Sequence, residues 1–129
     1  MAIAAQLTRE LFDALERRDV AAAAALIAED AVWRFPGRRG ALAGDHRGRE
    51  AIFAFFMKVA GLTDATFHAE RVEVVGDDRV AFFHFVGRAK RGDKTLENDT
   101  CLRLEFSGGR LIAAQEWVWD LDHVDAFWG

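Results

Sequence analysis

The chain of 129 residues contains one cysteine, one proline and no tyrosine. Cys101 alone cannot form an intrachain disulfide, so packing rather than covalent stapling must hold the fold. Without tyrosine there is no phenol for acid/base or hydrogen-bonding work. Long apolar runs are also missing: the longest, Val20 to Ala28, falls well below the roughly 18 residues of a spanning helix, so no membrane segment is expected. Nor is there a basic excess. Seventeen Lys+Arg against 21 Asp+Glu give a formal charge of −4, which offers no footprint for nucleic acid or an anionic membrane and favours small-molecule or protein partners. The N-terminus reaches Arg9 and Glu10 before an apolar signal core could form, which points to a cytoplasmic protein. No His-x-x-x-His, Cys-x-x-Cys, post-strand glycine-rich loop or Gly-x-Ser-x-Gly occurs, so neither a metal nor a cofactor is expected.

What is present suits one compact domain over residues 1–129, with 51% hydrophobic residues to build its core. Ile3, Leu7, Leu11 and Leu15 recur every four residues opposite Arg9, Glu10, Asp13, Glu16 and Arg17, predicting an amphipathic helix over 3–17. Asp19 is placed to cap a second helix, whose five consecutive alanines allow close approach and which should end near Glu29. Ala31 to Phe35 then alternate as a short strand that Pro36-Gly37 stops. The polar segment 38–48 reads as a loop, and Ile52, Phe55, Phe56 and Val59 line one face of a third helix ended by Gly61. Residues 66–75, 79–90, 94–106 and 110–119 are strand-like runs separated by hairpin signals at Gly76-Asp77-Asp78, Gly92-Asp93 and Ser107-Gly108-Gly109. The tail carries Leu121, Val124 and Phe127/Trp128 at helical spacing, with Asp120 placed as its cap. Helices followed by an antiparallel meander make an α+β domain.

This order, with Glu29-Asp30-Ala31-Val32, the helix start Gly48-Arg49-Glu50-Ala51-Ile52 and the ending Trp117-Val118-Trp119-Asp120, resembles the nuclear-transport-factor-2-like superfamily in its SnoaL-like and ketosteroid-isomerase-like branches. The resemblance spans essentially the whole chain. It implies a cone-shaped curved antiparallel sheet, four long strands plus a short one, wrapped around three N-terminal helices. It also implies a mostly apolar pocket and a homodimer through the outer face of the sheet. Outward-facing Trp117 and Cys101 suit that contact. By the steroid-isomerase pattern the base falls on Phe35, the tyrosine on Leu11 and the second acid on or beside Leu102. All three are apolar here, so that mechanism lacks its base and its hydrogen-bond donors.

Other residues then become the candidates. If Leu102 faces inward, a period of two sends Asn98, Thr100, Leu104 and Phe106 inward and Asp99, Cys101, Arg103 and Glu105 outward. The same superposition on the last strand brings Ala114, Glu116 and Val118 inward and makes Glu116 the leading acid or base, because a carboxyl in an apolar pocket has its pKa raised toward neutrality. The alternative is a rim residue or an arginine partner. His68 and His84 lie on neighbouring strands, within reach of each other if both face inward, and beside Glu116 they would resemble the paired histidines of related dehydratases. Register decides this, and Phe82, His84, Val86 are about as apolar as Phe83, Phe85, Gly87. Trp33, Phe35, Phe55, Phe56, Trp119 and Trp128 are ring enough to line a cavity or to be plain core. Arg34, Arg38, Arg39, Arg47 and Arg49 with His46 could draw a carboxylate to the mouth or simply pair with nearby acids.

Two functions follow. One is a cofactor-free isomerase, cyclase or dehydratase acting by acid/base catalysis on a small hydrophobic, cyclic or polyketide-like molecule. It would use Glu116, His84 and His68 and hold the ligand against Trp33, Phe35, Phe55, Phe56, Asn98, Thr100, Leu102, Val118 and Trp119. The other is a non-catalytic binding or dimeric interaction module that keeps the pocket alone.

Overall fold

The computed structural model describes residues 2–129. Helix α1, Ile3–Arg17, buries Ala4, Ala5, Thr8, Leu11 and Ala14 along the stripe expected of it, and Arg18 at φ 58° ends it. Asp19 accepts a hydrogen bond from the Ala22 amide at 3.1 Å and caps α2, Val20–Ala25. That helix is shorter than the sequence suggests. Leu26 is its cap, and Ile27 already belongs to strand β1, Ile27–Phe35, because the Leu26 carbonyl accepts from the Leu111 amide of the last strand at 2.7 Å. A cross-chain pairing thus overrides alanine's helix propensity.

The polar segment before the third helix is not all loop. Gly44–Arg47 forms β2, antiparallel to β1, with Trp33 opposite His46. Helix α3 follows at Arg49–Leu62, running one residue past Gly61 before Thr63 caps it. The meander is β3 His68–Gly76, β4 Val80–Arg91, β5 Lys94–Ser107 and β6 Arg110–Val118. The sheet therefore has six strands rather than five, in the order β2-β1-β6-β5-β4-β3, and β1 pairs with β6 in parallel. Register shifts at Ile27/Val32, Arg71/Glu73 and Glu105/Phe106 are the irregularities that bend long strands into a curved sheet. This is an α+β cone with helices on the concave side, the architecture expected.

On β4 the inner face is Ala81, Phe83, Phe85, Gly87 and Ala89, and Phe12 of α1 meets Phe83 edge-on at 4.7 Å. Inner positions of β5 are Leu96, Asn98, Thr100, Leu102, Leu104 and Phe106, as the alternation predicts. A fourth helix, α4 at Leu121–Trp128, closes the end, capped by Asp120 through the His123 amide at 3.0 Å. Its C-terminal carbonyls are held by cations, where the helix dipole is negative: Arg91 Nη1 donates to Phe127 and Gly129 at 2.9 Å, and Lys94 Nζ to Ala126 at 3.0 Å. Gly37, at φ 108°, lets the chain pass under α4, since a Cβ there would run into the Asp125 carboxylate.

Candidate active site

Between the concave face and the helices lies a cavity of about 650 Å³. Its walls are mostly rings: Trp33 and Phe35 from β1, Phe53, Phe55 and Phe56 from α3, Phe12 from α1, Phe67 and Phe85 from the sheet side, and Trp128 from α4. The rings brace one another. Trp33 meets Phe56 edge-on at 5.1 Å, and Phe35 lies 5.6 Å from Phe55. Alternation along β1 produces this arrangement, because Ala31, Trp33 and Phe35 share the inner side of a strand that Gly37 then turns away.

Into this apolar space β6 projects Glu116, 8% exposed. Its Oε1 accepts a hydrogen bond from Trp33 Nε1 at 3.0 Å. Burial pushes the carboxyl up to about 7, and the Trp33 bond opposes that rise by favouring the charged form. No arginine partners it among the described residues, so the buried carboxyl expected from the sequence is present without the ion pair that would neutralise it. Near neutrality such a group exists in both forms and can take a proton or give one.

Of the other expected residues, Asn98, Phe35, Phe55, Phe56 and Trp33 line the same cavity, and His68 lies on its exposed rim with Glu16, Arg18 and Asp19. Several do not line it. His84 sits on the outer face, with Nε2 2.5 Å from Asp99 Oδ1, because register places Phe83 and Phe85 inward. The two histidines never meet: His68 is opposite Arg88 and His84 opposite Glu73. Thr100 faces inward but is closed in the core, its hydroxyl donating to the Asn98 carbonyl at 3.1 Å. Leu102 is wholly buried core rather than cavity wall. Val118 keeps the inward parity of Glu116 and packs half-buried against the core without lining the cavity, whereas Trp119, 88% exposed because it follows the last paired residue of β6, borders a shallow groove on the outer face with His84, Cys101 and Trp117. Burial pushes the Cys101 thiol up, away from the reactive thiolate.

The arginine-rich segment also resolves into local pairing. Arg34 and Arg47 both reach Asp45, at 3.6 and 3.1 Å, Arg49 donates to the Ile27 carbonyl, and His46 stacks on Phe55 at 4.5 Å. None of Arg34, Arg38, Arg39, Arg47 and Arg49 lines the cavity. Phe12 and Phe67 do, and sequence reasoning passed over them. Phe12 sits off the four-residue stripe of α1, and Phe67 precedes its strand, held over the sheet where Gly87 leaves room.

The model of the SnoaL-like domain family matches residues 8–114. Among solved structures, Bal32a from a soil-derived mobile gene cassette is 37% identical, covering 98% of this chain and 97% of its own, with a TM-score of 0.94. A nuclear-transport-factor-2-like protein from Burkholderia xenovorans LB400 is 21% identical over 98% of this chain and 96% of that one, with a TM-score of 0.84. A candidate polyketide cyclase from Sinorhizobium meliloti is 19% identical over 87% of this chain and 94% of that one, with a TM-score of 0.70. The last two likenesses are of fold. No functionally curated protein matches the chain.

Proposed function

The chain belongs to the SnoaL-like domain family, within the nuclear-transport-factor-2-like superfamily, and on that footing we propose that it is an acid/base enzyme acting on a small hydrophobic, cyclic or polyketide-like molecule. The observation that carries this reading is Glu116, a carboxyl buried in an aromatic cavity, held by one indole N–H and poised at about 7. In its charged form it removes a proton from a carbon next to a carbonyl, and the carboxylic acid so formed returns the proton to a different atom. The sum of the two transfers is an isomerisation, and coupling them to ring closure or loss of water gives the cyclase and dehydratase variants. Proton transfer of this kind asks for no cofactor. The fold of the candidate polyketide cyclase supports the substrate class by analogy alone.

The test uses a simple enolisable ketone, 2-tetralone, in D₂O, with deuterium incorporation followed by NMR. Glu116→Gln is expected to slow protein-catalysed exchange by about 10²–10⁴, the usual contribution of a positioned base. Unchanged exchange in the variant would sink the assignment.

One observation favours a second reading, a non-catalytic binding module. Among the described cavity-lining residues, no other titratable side chain shares the interior with Glu116, since Glu16, Arg18, Asp19 and His68 all lie at the exposed rim. Ligand affinity with no exchange in the wild type would select it. For self-association, the same proposal takes the outer face as the contact, because Phe82, Trp117 and Trp119 leave apolar surface there. Light scattering should return twice the 14.4 kDa chain mass, and a monomer would remove the dimer from the scheme.

A further inference from the structure

Strand pairing brings the indole of Trp33 to the carboxyl of Glu116. Trp33 on β1 is opposite Ala114 on β6, and Glu116 stands two residues further along β6 on the same concave face. Side chains at such diagonal positions can touch when they are long. The indole has little freedom to leave. Trp33 is 2% exposed, Phe56 meets its ring edge-on at 5.1 Å and Phe55 lies at 6.0 Å, so α3 wedges it against the sheet.

The bond from Nε1 to Oε1, at 3.0 Å, occupies one carboxyl oxygen. The other is free. Among the described residues the enclosed side-chain atoms without a partner are Asn98 Oδ1 and Trp128 Nε1 alone. Glu116 Oε2, which accepts no hydrogen bond from these residues either, is therefore not enclosed and opens on the cavity that Glu116 lines. Its flanks are apolar: Leu102 is the partner of Glu116 on β5, and Phe35 of β1 follows Arg34, which is opposite Gln115. Charged groups on the surrounding elements are tied elsewhere. Arg103 of β5 pairs with Glu105, Arg34 of β1 with Asp45, Lys58 of α3 donates to the Ala41 carbonyl, and Asp125 of α4 accepts from the Arg38 amide. Glu16, Arg18, Asp19 and His68 stand at the exposed rim.

We infer that Trp33 is the positioning residue of the site: its N–H fixes Oε1 and thereby aims Oε2 at the bound molecule, so that Oε2 is the atom that takes the proton and returns it. The inference rests on the acid/base reading of Glu116 and adds to it a second residue and a named oxygen. As Oε2 takes a proton from carbon, the C–H electron pair stays behind in the enolate. Oε1 keeps a lone pair whether or not Oε2 carries the proton, so the indole serves both states and the carboxyl need not turn between the two transfers.

The experiment follows protein-catalysed 2-tetralone exchange in D₂O against pH for the wild type, Trp33→Phe and Glu116→Gln, with the Glu116 carboxyl carbon and the indole N–H signals read by NMR. Trp33→Phe keeps a ring against α3 and deletes the N–H. Because the lost bond favours the charged form, the midpoint of Glu116 should move up by about one pH unit, in the exchange profile and the carbon titration alike. At about pH 6, below the wild-type midpoint of about 7, exchange should fall about tenfold for that reason alone. Above both midpoints the variant holds a stronger base, which if well aimed would exchange faster. A fall of about tenfold on that plateau is therefore expected as the mark of lost aim. In the wild type, where no Trp33 variant has to fold, one of the four indole signals should titrate with the Glu116 carbon and cease to do so in Glu116→Gln. A midpoint unmoved in Trp33→Phe, a plateau at or above that of the wild type, or indole signals that ignore the carboxyl would each overturn the proposal. Exchange that survives Glu116→Gln would overturn the catalytic reading and the role of Oε2 with it. Exchange lost in Glu116→Gln but unaltered in Trp33→Phe would leave the catalytic reading standing and overturn this one.

Discussion

Glu105 and Glu116 stand on neighbouring antiparallel strands and face opposite sides of one sheet. Glu105 is on the convex side beside Arg103, whose Nη1 donates to it at 3.2 Å. Arg88 between Glu70 and Glu97, and His84 beside Asp99, add pairs between strands on the same face. Glu116, on the concave side, has an indole and an aromatic cavity instead. The same side chain in the same kind of strand is thus a solvated partner on one face and a group lifted toward neutrality on the other. Environment, set by the parity of one residue, makes the difference.

The contrast can be broken most severely at adjacent residues of β5. Leu102 is fully enclosed on the concave side, and Leu102→Ala should cost about 4 kcal/mol in chemical denaturation through lost transfer energy and the void it leaves. A cost below about 1 kcal/mol would mean that the inner face is not packed as described.

Next in size is the pH dependence of Glu116. Below its ordinary value of 4.5 the carboxyl is protonated in both folded and unfolded chains. From there to about 7 the unfolded chain releases the proton while the folded chain keeps it, so the contribution to stability falls as pH rises and then levels off. The raised value corresponds to about 3 kcal/mol across that window. Glu116→Gln cannot ionise, so it should gain about this much relative to wild type between pH 4.5 and pH 8 in urea titrations. Parallel curves for the two proteins would show that the carboxyl is not desolvated.

The smallest effect is expected just across the sheet. Arg103→Ala removes an ion pair whose members are 34% and 25% exposed and should cost less than about 1 kcal/mol, diminishing further in high salt. A loss as large as that at Leu102 would erase the distinction between the faces.

How much of this was legible in the sequence depends on how each segment earns its structure. On β5, alternation ties Asn98 to the face of Leu102, since a slip of one residue would bury Arg103 and expose Leu102, but that this face is the inner one, and that Glu116 of β6 shares it, was legible only through the family resemblance. On β4 both faces are apolar, and the choice is made by Phe12 of α1 packing on Phe83, a contact between residues far apart in the chain. Strand β2 was invisible for a similar reason: Gly44, Asp45, His46 and Arg47 have little strand propensity and are extended by pairing with β1. The start of β1 was masked by the alanine run before it. Phe67 joined the cavity through the space above Gly87, a relation of volume that no local pattern encodes.

The parallel pairing of β1 with β6 has a further consequence, for the order in which the molecule assembles. The hydrogen bond from Trp33 to Glu116 joins residues 83 apart in the chain, whereas β3 to β6 are linked by tight hairpins. Closing so long a loop costs entropy that local hairpins do not incur, so the meander should form first and β1 should dock on it late. On a ribosome, the acid of the cavity must emerge before the strand made long before it can find its place. The candidate site is therefore tied to a late step of assembly, and a chain folded everywhere except at that seam would carry every residue of the site without having one.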